Sequence, residues 1–294
     1  MARVLILGAS GFVGRNVAAA FFDAGWQTHG LARQVWRDRF DVSELSELAS
    51  VDRALSKLRP ELVVNAVGYG VDPSERDTRL HREINAEFPE KLVLAMGELG
   101  LRRLVHFGTA LEYGAATGAL DEQTKPQPMD EYGSTKLAGT RALLERARLS
   151  AVTVHVLRLF TVYGPFEHAP RLLPTLLRAR LTSDAIDLSE GTQARDFTHV
   201  GDVAEGVLAV AASEAPGGIY NLATGTLTSV RAFAETAARV LSIDLERLRF
   251  GALPQRANEM AHDPVSVTKL QAATGFRART DIAAGIRLTL ERVA

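Results

Sequence analysis

The pentapeptide Tyr132-Gly-Ser-Thr-Lys136 pairs a phenol with an ammonium group four positions along the chain. Because residues at that spacing share one face of an α-helix, the two side chains would lie side by side. A free tyrosine titrates near ~10 and is a poor base at neutral pH. An ammonium about 4 Å away, at an effective dielectric of roughly 20, favours the phenolate by up to about 4 kcal/mol. The spacing predicts a phenol that exchanges a proton with a substrate hydroxyl or carbonyl. The alternative is a pair that merely packs on an amphipathic helix.

Three glycines lie between the first apolar run, residues 4–7, and the helical pattern of residues 14–24. In this position one glycine permits a tight turn, one lets the backbone approach a pyrophosphate, and one allows close helix–strand packing. The helix N-terminus then offers free N–H groups and a positive dipole to phosphates. The motif predicts a dinucleotide site, and the alternative is a plain glycine turn. The residues expected to contact the dinucleotide here are Gly8, Ser10, Gly11, Phe12, Val13 and Gly14.

The end of the second apolar run bears on which dinucleotide binds. A carboxylate there accepts hydrogen bonds from the ribose hydroxyls of NAD and repels the 2′-phosphate of NADP. This chain has no acid after Ala32; it has Arg33, and Arg37 follows. Arginine binds phosphate through two parallel hydrogen bonds. We therefore expect NADP(H), with NAD(H) as the alternative if Arg33 is a solvated charge or stacks on adenine.

The elements that must position these groups alternate between short apolar runs and longer helical patterns. Such alternation predicts βαβ units, a doubly wound parallel sheet and helices on both of its faces. The α/β fold class expected is therefore Rossmann-type. Strands are predicted at 4–7, 28–32, 62–66, 104–107 and 152–160, and helices at 14–24, 48–58, 89–99 and 132–147.

After Gly164-Pro165 the alternation is less regular, and we expect a smaller α/β substrate lobe interleaved with late strands of the main sheet. The dinucleotide-binding domain should cover 1–163 and take in about 196–223. The substrate lobe should cover 164–294 through about 164–195 and 224–294. Strands are predicted at 185–188 and 195–200, and helices at 171–180, 203–212, 230–241 and 281–292.

Composition excludes several other kinds of chemistry. The 294 residues include 46% hydrophobic and 23% charged residues, as in ordinary globular proteins, and no cysteine, so there are no disulfides, zinc thiolates or cysteine nucleophiles. The formal net charge of −1 favours no nucleic-acid partner. The seven histidines lack H-x-x-x-H spacing, and we expect no metal. No apolar run is long enough for a membrane span or a signal peptide, so a cytoplasmic protein is expected.

The G-x-x-G-x-x-G spacing together with Y-x-x-x-K resembles the extended short-chain dehydrogenase/reductase superfamily, and its nucleotide-sugar-modifying NAD-dependent epimerase/dehydratase branch in particular. The resemblance spans nearly the whole chain. It implies that Thr109, four residues before a Tyr-Gly pair, polarises the same substrate oxygen as Tyr132. It also implies further cofactor contacts, at Asp41, Val42, Ala66, Val67, Gly68, Phe160 and Val162, and cofactor contacts of Tyr132 and Lys136 themselves.

The residues after Thr109 argue against one reaction of this branch. Relatives that are 4,6-dehydratases have Asp-Glu there for the proton transfers of water elimination, whereas this chain has Ala110 and Leu111. Neither side chain can transfer a proton. Glu112 follows directly, but one step along a strand turns a side chain to the opposite face. We therefore expect no dehydratase and no direct catalytic role for Glu112.

Motifs of the second half resemble the branch's substrate-binding segments. Thr161 replaces an asparagine that contacts the sugar nucleotide in relatives, which leaves that contact in doubt. Arg195 opens an R-D-F-x-x-V-x-D-V motif, and Arg256 follows later; the resemblance assigns both to the diphosphate, whereas either alone could be a surface charge. His199 is expected to be structural. The substrate-binding residues expected are Thr109, Thr161, Arg195 and Arg256.

The resemblance and the missing Asp-Glu pair lead to one expected reaction, the NADPH-dependent reduction of an NDP-4-keto-6-deoxyhexose. In it Thr109 polarises the ketone, Tyr132 delivers the proton, and Lys136 lowers the tyrosine pKa and holds the ribose. Two alternatives stay open: an NDP-sugar 4-epimerase with tightly bound NAD, and a non-catalytic sensor that binds NADP and a partner protein. The resemblance further implies a homodimer formed through the helix that carries Tyr132.

Overall fold

The computed structural model describes residues 1–33, 39–44, 48–71, 74–169, 171–255 and 259–293. The strands are β1 (Arg3–Leu7), β2 (Gln27–Ala32), β3 (Asp41–Glu44), β4 (Leu62–Asn65), β5 (Arg103–Thr109), β6 (Thr153–Leu159), β7 (Thr161–Tyr163), β8 (Ile186–Leu188), β9 (Ala194–His199), β10 (Gly218–Leu222), β11 (Leu227–Ser229) and β12 (Leu248–Phe250). The helices are α1 (Phe12–Asp23), α2 (Leu48–Leu58), α3 (Thr78–Arg82), α4 (Phe88–Glu98), α5 (Glu131–Leu149), α6 (Leu172–Ala179), α7 (Val200–Ala212), α8 (Val230–Val240), α9 (Thr268–Thr274) and α10 (Ile282–Val293).

A seven-stranded sheet forms the centre of the molecule, in the order β10-β6-β5-β4-β1-β2-β3. Every neighbouring pair in it is parallel. Parallel sheets are buried on both faces, which explains why β4 begins with three consecutive apolar residues, Leu62, Val63 and Val64, rather than an alternation. The strand order reverses direction beside β1, as in doubly wound folds. The expected Rossmann-type fold class is confirmed.

Helices cover both faces of this sheet. On one face, α1 and α7 pack against each other, and Val17, Phe21 and Val207 enter one apolar cluster with residues of β1 and β4. On the other face, α4 and α5 contribute Met96 and Leu143 to a second cluster. Because the strands run parallel, their carboxyl ends meet at one edge, where the glycine turn, Asn65 and Thr109 all lie.

A third apolar cluster lies outside the main sheet and joins α6, α8 and α10 to the smaller sheets β11-β9-β7 and β12-β8. Its centre is a stacked pair of rings, Phe197 and Phe233, with centroids 4.2 Å apart. The chain returns from this region to the main sheet through β10, which pairs with β6. The division into domains at residue 163 stays a prediction. Within the described ranges, no helix combines the length and apolar character that a bilayer crossing requires.

Short elements account for most differences from the sequence predictions. β3 was not predicted as a strand, because Asp-Val-Ser-Glu is polar and only its pairing with β2 makes it extended. α3 and the π-helical turn that continues it, Glu83–Glu87, were missed as well. α7 begins at Val200 rather than at residue 203, because the Nδ1 of His199 accepts a hydrogen bond from the N–H of Gly201 and caps the helix. His199 is therefore structural, as expected.

A buried ion pair joins Glu112, which follows β5, to Arg158 of β6. Glu112 and Arg158 are 0% and 1% exposed, and the Oε2 of Glu112 lies 2.9 Å from an Nη2 of Arg158. The other carboxylate oxygen accepts hydrogen bonds from the backbone N–H of Thr109 and from the hydroxyl of Thr140 on α5. The acid thus connects β5, β6 and α5 at the end of the strand that carries Thr109.

We expect Glu112→Gln to lower the free energy of unfolding by about 3–5 kcal/mol, because it leaves the Arg158 guanidinium buried without a counter-charge. Urea denaturation followed by circular dichroism measures this change. Glu145→Gln, at an exposed position of α5, is the control and should stay within about 0.5 kcal/mol of the parent chain. Equal unfolding midpoints for the two variants would contradict the assigned role of the pair.

Candidate active site

A cavity of about 610 Å³ lies at the edge of the main sheet where the parallel strands end. Its wall combines the turn after β1, the residues after β4, the end of β5 and the start of α5. The residues after β6 and the start of β9 close the other side. Open parallel sheets bind their ligands at this edge, so the cavity is the candidate active site.

The glycine turn shapes one end of the cavity. Gly8 has a φ of +78°, in the left-handed region that favours glycine. A Cβ at Gly14 would lie 2.2 Å from the carbonyl oxygen of Gly8, so only glycine lets α1 pack this closely on β1. Gly11 caps α1 without any side-chain hydrogen bond, which leaves the N–H groups of the first turn to face the cavity. This turn fits the pyrophosphate of a dinucleotide.

Most of the residues predicted to contact a cofactor line this one cavity, and some do not. Asp41 and Val42 lie on the edge strand β3 outside the cavity wall, and the Asp41 carboxylate is 3.8 Å from the Nδ1 of His29. Gly8 and Ser10 lie in the turn after β1 and are not part of the cavity lining. The predicted cofactor residues that line the cavity are Gly11, Phe12, Val13, Gly14, Arg33, Ala66, Val67, Gly68, Tyr132, Lys136, Phe160 and Val162.

Thr109 and Tyr132 enter the cavity from two elements that contact each other closely. Thr109 ends β5, and its Oγ1 accepts a hydrogen bond from the N–H of Leu111, which leaves its own proton free to be donated. Tyr132 lies in the first turn of α5, which Asp130 caps by accepting from the N–H of Gly133 at 2.7 Å. A Cβ on Gly133 would lie 2.5 Å from the carbonyl oxygen of Leu111, so glycine brings the tyrosine beside the threonine.

Tyr132 is half-buried in the cavity wall, and burial raises its pKa above the ordinary value. The Glu112 carboxylate raises this pKa further, and the Arg171 guanidinium opposes both effects. The lowering that we predicted from Lys136 is therefore wrong for this structure, because loss of water around the phenol outweighs the nearby cations. The phenol is held in its protonated form.

Lys136 is buried one helical turn beyond the tyrosine. Its Nζ donates a hydrogen bond to the carbonyl oxygen of Phe107 at 2.6 Å and lies 3.4 Å from the Nε2 of His106. Burial lowers the pKa of Lys136 to about 8, and the Glu112 carboxylate acts in the opposite direction. This amine can change its protonation state close to neutral pH.

Ala110 and Leu111 also line the cavity, so the two positions that would bear acids in a dehydratase are apolar in the folded chain. Both carboxylate oxygens of Glu112 are occupied inside the protein, by Arg158 on one side and by Thr109 and Thr140 on the other. The acid closest in sequence therefore points away from the cavity, in agreement with the expected lack of a direct catalytic role.

The substrate side of the cavity brings together some of the expected residues. Thr161 and Arg195 both line it, and the guanidinium of Arg195 is held by Glu259, with Nε 2.7 Å from a carboxylate oxygen. The Arg195 side chain is thereby oriented in the wall of the cavity. The other arginine expected here, Arg256, lies outside the described residues.

Sequence reasoning missed a second group of polar residues in the wall. Glu167 is buried and its Oε1 is 3.4 Å from the Nε of Arg171, and burial raises the pKa of this acid to about 7. Glu75 accepts a hydrogen bond from the N–H of Gly70 at 2.7 Å. No motif marks these residues. The one available signal was their position in loops that follow strands of a parallel sheet, at the edge where ligands bind. The missed residues of the wall include Glu75, Glu167, His168, Arg171, Met260 and His262.

Among proteins of known activity, the chain is 28% identical to the dTDP-6-deoxy-L-talose 4-dehydrogenase (NAD(P)(+)) of Kitasatospora kifunensis, over 97% of this chain and 94% of that one. It is also 28% identical to the dTDP-4-dehydrorhamnose reductase of Streptomyces griseus, over 84% and 79% of the two chains. Among solved structures, MoeE5 in complex with UDP-glucuronic acid and NAD superposes with a TM-score of 0.88 at 28% identity, over 99% and 98% of the chains.

The sequence model of one protein family matches residues 4–223. This match covers the glycine turn, the Thr109, Tyr132 and Lys136 positions, and the strands of the main sheet. It agrees with the resemblance that the motifs carry. The chain belongs to the NAD dependent epimerase/dehydratase family.

Proposed function

We propose that this protein reduces the 4-keto group of an NDP-4-keto-6-deoxyhexose with NADPH. At the coarser level, the family and its relatives make it an NAD-dependent enzyme that modifies nucleotide sugars. The observation that carries the finer proposal is the wall around Thr109. It combines a hydroxyl donor, a phenol and an amine with the apolar Ala110 and Leu111, which suits carbonyl reduction and not water elimination.

The two curated relatives support this reaction by their names. A dTDP-6-deoxy-L-talose 4-dehydrogenase acts at the carbon that the proposed reaction reduces, in the opposite direction. A dTDP-4-dehydrorhamnose reductase acts in the proposed direction. Both named reactions interconvert a 4-keto and a 4-hydroxy sugar, so both relatives support a site that binds a nicotinamide and the oxygen at C4.

In the proposed mechanism the glycine turn and the start of α1 would hold the pyrophosphate, and Ala66, Val67 and Gly68 would contact the nicotinamide half. When bound, the reduced nicotinamide supplies the hydride. The hydroxyl of Thr109 donates a hydrogen bond to the ketone oxygen, and the phenol of Tyr132 donates its proton to the alkoxide oxygen that forms. The raised pKa of Tyr132 suits this direction, because the phenol stays protonated until a more basic oxygen accepts the proton.

The proposed preference for NADP(H) depends on Arg33. This residue is exposed, follows β2 directly and lines the cavity at its dinucleotide end, where a guanidinium can meet a 2′-phosphate. The relative from Kitasatospora is named for both cofactors, and MoeE5 holds NAD, so NAD(H) remains the alternative. The substrate side rests on Thr161 and Arg195 in the cavity wall, and the proposed homodimer would form through α5.

Incubation with NADPH and a dTDP-4-keto-6-deoxyhexose tests the proposal. We expect one NADPH oxidised for each sugar reduced at C4, as measured by cofactor absorbance and by NMR of the product. Protein that is purified with stoichiometric NAD, and that interconverts NDP-hexoses without net cofactor oxidation, would instead be a 4-epimerase. Tight NADP binding without turnover of any nucleotide sugar would favour the sensor alternative.

Tyr132→Phe should lower kcat for this reduction by about 10²–10⁴-fold, because the variant keeps the ring and loses the proton. Steady-state rates with NADPH measure the effect. Tyr220→Phe is the matched control: its hydroxyl donates to the carbonyl oxygen of Pro216 at the edge strand β10, outside the cavity, and kcat should be retained. A Tyr132→Phe variant as fast as the control would remove the phenol from the mechanism.

Arg33→Ala should raise the KM for NADPH by about 10- to 100-fold and leave that for NADH little changed, because a hydrogen bond to a charged group contributes about 1.5–3 kcal/mol. The ratio of kcat/KM for the two cofactors is the measured quantity. Lys57→Ala, which removes an exposed cation from α2, controls for the general charge of the surface. An unchanged ratio would show that Arg33 does not bind the 2′-phosphate of NADPH.

A further inference from the structure

Beneath the candidate active site, three polar side chains form a closed group inside the protein. Asn65 and His106 are opposite each other in the register of β4 and β5, and both are 0% exposed. Lys136 reaches them from α5 and is 3% exposed. Asn65 and His106 therefore make their polar contacts with protein atoms, and each of their donors needs an acceptor, whereas Lys136 also lines the cavity.

The orientation of the Asn65 amide is fixed by the main chain. Its Oδ1 accepts a hydrogen bond from the N–H of Val67 at 3.1 Å. Its Nδ2 lies 3.0 Å from the Nδ1 of His106. Reversing the amide would set its NH2 group against the N–H of Val67, so Nδ2 is the donor toward histidine. A donor at this position requires a lone pair on Nδ1.

The histidine tautomer follows from this constraint. Burial lowers the pKa of His106 well below its ordinary value, and the Lys136 charge acts in the same direction, so the ring is neutral. A neutral imidazole whose Nδ1 accepts must bear its proton on Nε2. That Nε2–H group faces the Nζ of Lys136 at 3.4 Å.

The Nε2–H group of His106 determines which protonation state of Lys136 can form a hydrogen bond with it. An ammonium has three donors and no acceptor, so a charged Lys136 would set one N–H against another. A neutral amine has two donors and one lone pair. It can donate to the carbonyl oxygen of Phe107 at 2.6 Å, accept from His106, and keep one N–H for the cavity.

We propose that Asn65 and His106 are positioning residues for Lys136: the asparagine imposes the Nε2–H tautomer on the histidine, which then disfavours the ammonium form of the lysine and orients its neutral amine as a hydrogen-bond acceptor. The proposal deepens the proposed function, because it depends on Lys136 acting beside the phenol. The sequence around the Y-x-x-x-K motif does not reveal this pair, which comes from two other strands.

Burial and the charged groups nearby favour or disfavour the neutral form of Lys136. Glu112 favours the charged form of Lys136, whereas burial favours the neutral one and brings its pKa to about 8. Tyr132, on the same helix, stays protonated and adds no negative charge. The groups that act on the phenol in turn are Glu112, Arg171, Asp130 and Glu75.

Nuclear magnetic resonance of the full-length protein tests the tautomer without substrate or cofactor. Histidine labelled with ¹⁵N in the ring gives distinct shifts for a protonated and an unprotonated nitrogen, and His106→Phe identifies the signal. We expect an unprotonated Nδ1 and a protonated Nε2 from about pH 6 to 8, well below and near the lysine pKa. A protonated Nδ1, or a charged ring, overturns the proposal.

Titration of Lys136 followed through its ¹³C-labelled Cε tests the consequence. Asn65→Leu removes the donor to Nδ1 without adding a charge, so the ring can present an Nε2 lone pair to the ammonium and the midpoint should rise by about one pH unit, a tenfold change in the protonation ratio. His106→Gln can accept from Asn65 and donate to Lys136, and it should keep the midpoint of the parent chain. An unchanged midpoint in Asn65→Leu contradicts the proposal.

These two readouts separate the proposal from the proposed function. Both can fail in a chain that reduces keto sugars, and both can succeed in a chain that does not. If Asn65→Leu does not fold, the tautomer of the parent chain still decides the question. Loss of activity in His106→Phe with an Nδ1–H tautomer in the parent chain would leave the histidine a structural residue only.

Discussion

Thr109, Tyr132 and Lys136 depend for their relative positions on the carboxylate of Glu112. One oxygen binds the N–H of Thr109 and the hydroxyl of Thr140, and the other binds the guanidinium of Arg158. Two strands and α5 therefore meet at a single group that water does not reach. Since a buried charge must be matched to remain buried, this geometry tolerates little movement. The placement of the phenol relative to Thr109 follows from the core and not from the loops of the cavity.

The Glu112 carboxylate does not enter the cavity, but it shifts the pKa of two residues that line it. It raises the pKa of Tyr132 together with burial, and it opposes the effect of burial on Lys136. Glu112 thus acts on the site through its charge, while Ala110 and Leu111 give the cavity wall beside Thr109 an apolar surface. An acid turned into the core can tune a carbonyl-reducing site without opening a route for elimination.

The sequence predicted the parts of this arrangement that have a fixed spacing along the chain. The glycine turn depends on close approach at Gly14, and the Y-x-x-x-K pair depends on helical periodicity, so both were visible as motifs. The parallel sheet was predictable because short apolar runs such as residues 4–7 alternate with helical patterns along the first half of the chain. Glu167 and Arg171 were not, because their place in the same cavity wall as Tyr132 depends on tertiary folding. The direction of the Tyr132 pKa shift was missed for the same reason: a spacing reports the nearest cation, and only the folded chain reports the loss of water.

That loss of water gives the site its chemical character. Burial disfavours charge on any group, so it raises the pKa of a phenol and lowers that of an amine. Burial thereby favours the neutral form of both Tyr132 and Lys136, and the pKa of the lysine falls to about 8. In water at neutral pH, by contrast, the phenol would be neutral and the amine would be charged. The proposed reduction needs a proton that is held until the carbonyl oxygen becomes basic, and a phenol with a raised pKa would hold it in that way. Below the cavity, Asn65 contacts His106, and His106 contacts the amine of Lys136. In the proposed arrangement the direction of these hydrogen bonds acts on the protonation state of the amine in addition to burial and charge.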